Sequence, residues 1–181
     1  METFKQVLSQ HHSAVMLLAP RHPEHFSQVT NLLQDANVKF WRRTQWNGDA
    51  PNGGVLLVDS IGELANLYAL ADLAIVGGSF VPAGGHNILE PAQHGVPIIV
   101  GPHTENFRDI VALFHSADAV RVASATDLSK TVLNLLADQN ERDALGRRAL
   151  QTLQSEQGAT AITLQKLKTL LSAREQGAHT A

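Results

Sequence analysis

The sequence contains no cysteine, which removes disulfide frameworks, thiol nucleophiles, cysteine-bound zinc and iron–sulfur clusters in one step. Charge of either sign is scarce. Fourteen Lys and Arg against 17 Asp and Glu leave a net charge of −3, so no overall basic field draws the chain to nucleic acid. No apolar run approaches the roughly 18 residues that a bilayer crossing needs. The opening Met1-Glu2-Thr3-Phe4-Lys5 reads as the start of a helix and lacks the pattern of a secretory leader. Several phosphate and metal motifs are missing as well. Without G-x-x-x-x-G-K-[ST] the chain is no P-loop protein, and without G-x-G-x-x-G a dinucleotide fingerprint is weakened. There is no H-E-x-x-H pattern among the nine histidines and no Asp-x-Asp pair to hold a metal-bridged sugar nucleotide.

What is present is apolar, and it is periodic. With 181 residues, 44% of them hydrophobic, the chain holds enough material for one core without covalent staples. Short apolar runs bounded by breakers read as strands over 14–19, 38–41, 55–58, 73–76, 97–100 and 119–122. Helical spacing predicts helices over 2–10, 23–36, 61–70, 89–94, 105–116 and 126–137 between them. Strands that are continuously apolar and alternate with helices imply an α/β fold, a Rossmann-like parallel sheet with helices on both faces. Two more helices, over 141–155 and 159–171, follow without further strands, the last with a stripe of Leu164, Leu167 and Leu171. Residues 1–173 are expected to form one domain and 174–181 a polar tail.

In open parallel sheets ligands bind beyond the carboxyl ends of the strands, so the loops there carry the candidates. After the first strand, Arg21 stands between Pro20 and Pro23; a guanidinium on so stiff a backbone suits a phosphate, or is a plain surface arginine. After the third, Ser60 and Glu63 have the spacing of a capping box, and the amides of Ile61 and Gly62 are candidates to hold a ligand. After the fourth comes the strongest signal, Gly77-Gly78-Ser79 followed by Gly84-Gly85-His86-Asn87-Ile88-Leu89-Glu90-Pro91. Two glycine pairs let backbone approach a ligand closely. Asn87 is a helix cap, and the Glu90 carboxylate can accept from the vicinal hydroxyls of a ribose. After the fifth, Thr104 is expected to cap a helix, with His103 and Asn106 beside it. Ser79 lacks the closing glycine of a nucleophile elbow. Trp41-Arg42-Arg43 with Trp46 reads as a strand end with its solvated face before it reads as a base-stacking patch.

Taken together, these residues resemble a known family. Ala19-Pro20-Arg21-His22-Pro23-Glu24, Asp59-Ser60-Ile61-Gly62-Glu63-Leu64, Ala71 through Ser79, Gly84 through Pro91 and Gly101-Pro102-His103-Thr104 are similar, in order and spacing, to 3-deoxy-D-manno-octulosonic acid (Kdo) transferases of lipopolysaccharide synthesis. The resemblance implies the C-terminal, donor-binding half of a GT-B glycosyltransferase, taking CMP-Kdo as donor and a lipid A precursor as acceptor. It implies CMP contacts from Pro20 and Arg21, from Ile61, Gly62 and Glu63, and from Asn87, Ile88, Leu89 and Glu90. Gly77, Gly78, Ser79, Gly85 and His86 complete the expected substrate-binding set.

The same resemblance places the general base, the acceptor surface and the membrane anchor in an N-terminal domain outside these residues. No residue here is therefore assigned as catalytic, no metal or cofactor is expected, and the domain alone is expected to bind CMP weakly without turnover. The full-length protein would work at the cytoplasmic face of the inner membrane, with this part soluble. Two other readings stay open: a GT-B half using a UDP- or GDP-sugar, and a non-catalytic nucleotide-binding module.

Overall fold

A computed structural model describes residues 1–156 and residue 158. The helix expected over 159–171 and the tail lie outside the described residues. Among the described residues, six strands form two three-stranded parallel sheets. In the first, β3 (Gly54–Leu57) lies between β1 (Val15–Leu18) and β2 (Phe40–Arg42); in the second, β5 (Ile98–Val100) lies between β4 (Ala74–Val76) and β6 (Arg121–Val122). Registers run Val15 against Gly54 and Phe40 against Val55, then Ala74 against Ile98 and Ile99 against Arg121. The single sheet that the alternating pattern suggests is thus two sheets that share a core.

Both central strands are buried throughout, as covered parallel strands must be. On β5 the alternation of side chains splits the core. Ile98 and Val100 face a cluster with Val76, Ile88, Ala92, Val111, Phe114 and Ala149. Ile99 faces the other way, toward Phe4, Leu33, Val55, Leu57, Val132, Leu135 and Leu145. Helices α1 (Glu2–Gln10), α2 (Phe26–Asp35) and α6 (Leu128–Ala137) serve the second cluster, α4 (Leu89–Gln93) and α5 (Arg108–Ser116) the first. Helix α7, over 139–156, contributes Leu145 to one and Ala149 and Leu153 to the other. It replaces the shorter helix expected over 141–155 and begins under an Asp138 cap, Oδ1 accepting from the Glu141 N–H at 3.0 Å. Helix α3 is a single turn, Leu64–Leu67.

Three helices end in the same way, and each ending launches the next stretch of core. Asn37, Gly95 and Asp118 have φ of 50°, 65° and 51°. The residue after each sends its N–H back five positions, Val38 to Leu33, Val96 to Pro91 and Ala119 to Phe114. Those bonds define Schellman endings, which satisfy helix carbonyls and turn the chain sharply toward the sheet. Helix α7 is clamped over the last of these turns. Arg148 Nε donates to the Asp118 carbonyl at 2.6 Å, and Arg121 and Arg148 both pair with Asp118 and Glu141. The hydrogen bond from Arg121 holds the Asp118 carboxyl below its usual pKa.

Candidate functional site

Parallel strands point their carboxyl ends the same way, so the loops after β1, β2 and β3 emerge on one side of the first sheet, and those after β4 and β5 on one side of the second. Among the described residues, one side-chain hydrogen bond joins the two sets. Arg21, exposed after β1, reaches His86 after β4, with Nη1 2.9 Å from Nδ1. The structure thus brings together two loops 65 residues apart that were proposed separately from the sequence.

The loop after β4 is built from close approaches. Gly77, Gly78 and Ser79 form a short 3-10 turn. A Cβ on Gly78 would lie 2.5 Å from His86 Nε2, so the imidazole rests where only glycine leaves room. Gly84 and Gly85, both buried with φ near +80°, pack on Asn106 and on the His103–Thr104 backbone. Asn87 does not cap the helix as expected: the N-cap of α4 is Ile88, without a side-chain cap, and Asn87 Oδ1 accepts from the Leu89 N–H at 3.0 Å in an Asx turn just before it. Ser79 is sealed in the core. Its hydroxyl donates to the Val76 carbonyl and accepts from the Gly101 N–H at 2.6 Å, locking the end of β4 to the end of β5. Ile88 is likewise fully buried, and its side chain belongs to the core. These two residues shape the loop; Gly77 and Asn87 are exposed and His86, Leu89 and Glu90 half-buried, with open space at Gly77.

The turn after β3 differs from expectation. No capping box forms: Ser60 Oγ is buried without a partner, and α3 has no side-chain cap. Glu63 instead accepts from Arg43 Nε at 2.6 Å. Local capping spacing lost to a charge-assisted bond from the turn after β2, which is worth more than a neutral cap. The result still presents the turn. Ile61 is 83% exposed, and Gly62, at φ 86°, has nothing within 4 Å of a built Cβ. Arg42 pairs likewise with Asp59, so both arginines of the Trp-Arg-Arg stretch are engaged in ion pairs. Thr104 makes no side-chain cap either, and a 3-10 turn, Glu105–Phe107, precedes α5. With α3 and α4 only one turn each, individual N–H groups rather than a helix macrodipole would face an anion there.

Asp59 anchors this side of the site. Its buried carboxylate accepts from Arg42 Nε at 2.7 Å, from the Thr44 N–H at 2.9 Å and from Thr44 Oγ1 at 2.7 Å. Burial alone would raise its pKa, but the bonds from Thr44 and Arg42 outweigh that and hold it below 3.8. A depressed carboxyl stabilises the fold above the ordinary carboxylate range, and that stability is lost as pH falls through the lowered value. Asp59→Asn is therefore expected to cost about 1–2 kcal/mol near neutrality, with the gap to the native protein closing below about pH 4. Urea unfolding at pH 7 and pH 3 measures both.

One residue escaped the sequence reading. Tyr68, the single tyrosine, lies half-buried in the turn Tyr68–Leu70. Burial first, then the charge of Glu90, pushes its hydroxyl pKa up. Tyr68 thus flanks the carboxylate proposed for the ribose, and the only signal was its solitary aromatic ring beside an otherwise aliphatic turn. Among the described residues no group of three or more His, Asp or Glu is placed to hold a metal ion, and no helix is long and apolar enough to cross a membrane.

Comparison with known proteins gives the relatives of this chain. A 3-deoxy-D-manno-octulosonic acid transferase of Haemophilus influenzae is 37% identical over 173 residues, 94% of this chain and 40% of that protein. The enzyme of the same name from Bordetella pertussis is 40% identical over 156 residues, 85% of this chain and 36% of that protein. The chain thus spans about two-fifths of the length of these relatives. A crystal structure of the C-terminal CMP-Kdo binding domain of WaaA from Acinetobacter baumannii superposes with a TM-score of 0.79 at 37% identity, covering 84% of this chain and 80% of that one. The α/β architecture is accordingly that of a GT-B C-terminal domain. The model of the family "Glycosyl transferases group 1" matches residues 52–152, more than half the sequence and all of the loops after β3, β4 and β5: the chain belongs to the group 1 glycosyl transferases.

Proposed function

We propose that these residues form the donor-binding domain of a Kdo transferase, which moves Kdo from CMP-Kdo to a lipid A precursor at the cytoplasmic face of the inner membrane. One observation carries the reading: the Arg21–His86 contact draws the guanidinium to the glycine-rich loop that leads into Glu90. Relatives named for Kdo transfer, and a solved relative named for CMP-Kdo binding, support the choice of cytidine over other bases.

In the reaction an acceptor hydroxyl attacks the anomeric carbon of Kdo, and the bond from that carbon to the phosphate oxygen breaks. The electron pair leaves on CMP, which gains a negative charge. Arg21, with the Gly77 and Gly62 backbones at open positions, would take up that charge by preorganised donors and without a metal. Glu90 would hold the ribose hydroxyls, with Pro20, Ile61, Glu63, Asn87 and Leu89 shaping the nucleotide pocket. The hydroxyl proton goes to a base supplied by the rest of the protein, so no carboxylate of this domain is given that role. The domain comprises residues 1–173 in this reading.

Titration of the 181-residue chain with CMP, UMP and GMP, followed by backbone amide shifts, tests this. CMP-selective shifts at Arg21, Gly62, Gly77–Gly78 and Asn87–Glu90 are expected, with no Kdo transfer by the chain alone. Equal shifts with UMP or GMP would favour another sugar nucleotide. Shifts with none would leave a scaffolding module.

A further inference from the structure

The contact between the loops after β1 and β4 is chemically one-sided. An arginine side chain only donates, so His86 Nδ1, 2.9 Å from Arg21 Nη1, must present its lone pair. In the neutral ring the proton is then on Nε2. That edge lies against Gly78, where a Cβ would be 2.5 Å from Nε2 and 2.7 Å from Cδ2. The ring therefore cannot swing back without leaving its seat. Gly85 at φ 77° sets the angle at which His86 enters.

We propose that His86 is a positioning residue for Arg21: the neutral imidazole, seated on Gly78, accepts from the guanidinium and aims it at the phosphate, and protonation of the ring releases it. The aim rests on the nucleotide reading above; the clamp itself needs no ligand.

Among the described residues, the charged groups that bear on the ring come from the loop after β1. They are Arg21 and His22, and His22 itself lies 3.9 Å from Glu24. From its own loop the ring meets the backbone of Gly85 and the uncharged Gly78. Burial first, then Arg21, lowers the imidazolium pKa, with His22 adding to the effect and a Gly85 backbone hydrogen bond opposing it. The ring is thus neutral at pH 7. On acidification Nδ1 takes a proton, loses its lone pair and confronts a guanidinium of like charge.

This makes the sign of the pH effect diagnostic. A histidine that merely added positive charge near an anion would tighten binding as pH falls. A clamp would loosen it. The probe is cytidine 5′-methyl phosphate, a diester whose single charge does not titrate between pH 5.5 and 8. Its affinity for the 181-residue chain is expected to fall from pH 7.5 to 5.5, the loss deepening as pH approaches the lowered imidazolium pKa and the aimed charge-assisted contact is lost. His86→Gln keeps an acceptor that does not titrate and is expected to flatten the profile. His86→Phe is expected to bind weakly at both pH values. Rising affinity on acidification, or an unchanged slope in His86→Gln, would overturn the proposal.

A second readout works without nucleotide. Nitrogen-15 spectra are expected to show His86 bare at Nδ1 and protonated at Nε2, with its titration moving upward in Arg21→Met. A proton on Nδ1, or a titration indifferent to Arg21, would sink the clamp whatever the nucleotide result. Absence of binding at pH 7.5 with both signatures intact would instead overturn the nucleotide reading, and the aiming role with it, while the Arg21–His86 contact stood.

Discussion

Replacing Arg21 by methionine is expected to weaken CMP binding by about ten- to a hundredfold, the range for losing a charge-assisted contact to phosphate. The fold should hardly notice. Arg21 is exposed after Pro20, and among the described residues its side chain hydrogen-bonds only to His86. The thermal midpoint is therefore expected to move by no more than about 2 °C, as for a surface change worth a few tenths of a kcal/mol. Arg21→Lys should fall between, because an ammonium keeps the charge but not the planar fork. Calorimetric titration beside a thermal melt separates the two effects. Native affinity in Arg21→Met would return Arg21 to the ordinary surface and remove the main support for a phosphate site here.

The sequence reading and the structure part company where long-range chemistry competes with local rules. Runs such as Ile98–Val100 were readable because a parallel strand covered on both faces has no polar position to blur it. Element ends were harder. Of the three Schellman endings, only Gly95 carries the usual residue; Asn37 and Asp118 hold left-handed φ at ordinary-looking polar positions. Ser60 and Glu63 satisfied every local criterion for a cap, yet Glu63 turned to Arg43, twenty positions away in sequence in the turn after β2. The splitting of the strands into two sheets follows from pairing order, which hydrophobic pattern alone does not encode.

The candidate site divides in the same way. Glycine pairs advertise themselves, because unusual backbone demands an unusual residue. Which side chains then face the opening is decided by packing. Ser79 and Arg21 both belong to the expected substrate-binding set, and folding sealed one behind Val76 and Gly101 while leaving the other at the surface. Tyr68 was silent because its importance lies in nearness to Glu90, which no spacing in the sequence expresses.

Gly146→Ala should have the largest effect on stability, and with the opposite sign to the simple rule. Alanine in place of glycine inside a helix ordinarily gains about 1 kcal/mol. In α7 the new methyl would stand 1.9 Å from the Gly95 carbonyl oxygen and 2.9 Å from its carbon, with Pro97 Cδ at 3.4 Å. Neither backbone atom can yield cheaply. Gly95 sits at φ 65°, and the Val96 N–H to Pro91 bond pins its turn to the end of α4. Helix α7 would have to lift, withdrawing Leu145 and Ala149 from the two halves of the core. Overpacking against fixed atoms costs about 3 kcal/mol, which urea unfolding would report as a lower midpoint at similar slope. The exposed neighbour gives the control, Arg147→Ala being expected to stay within about 0.5 kcal/mol of native. Because the disturbed turn also ends α4, nucleotide affinity should fall together with stability in Gly146→Ala, whereas Arg21→Met should lower affinity alone. A stabilised Gly146→Ala would mean that α7 does not rest on that turn, and that α4 owes its position to the sheet instead.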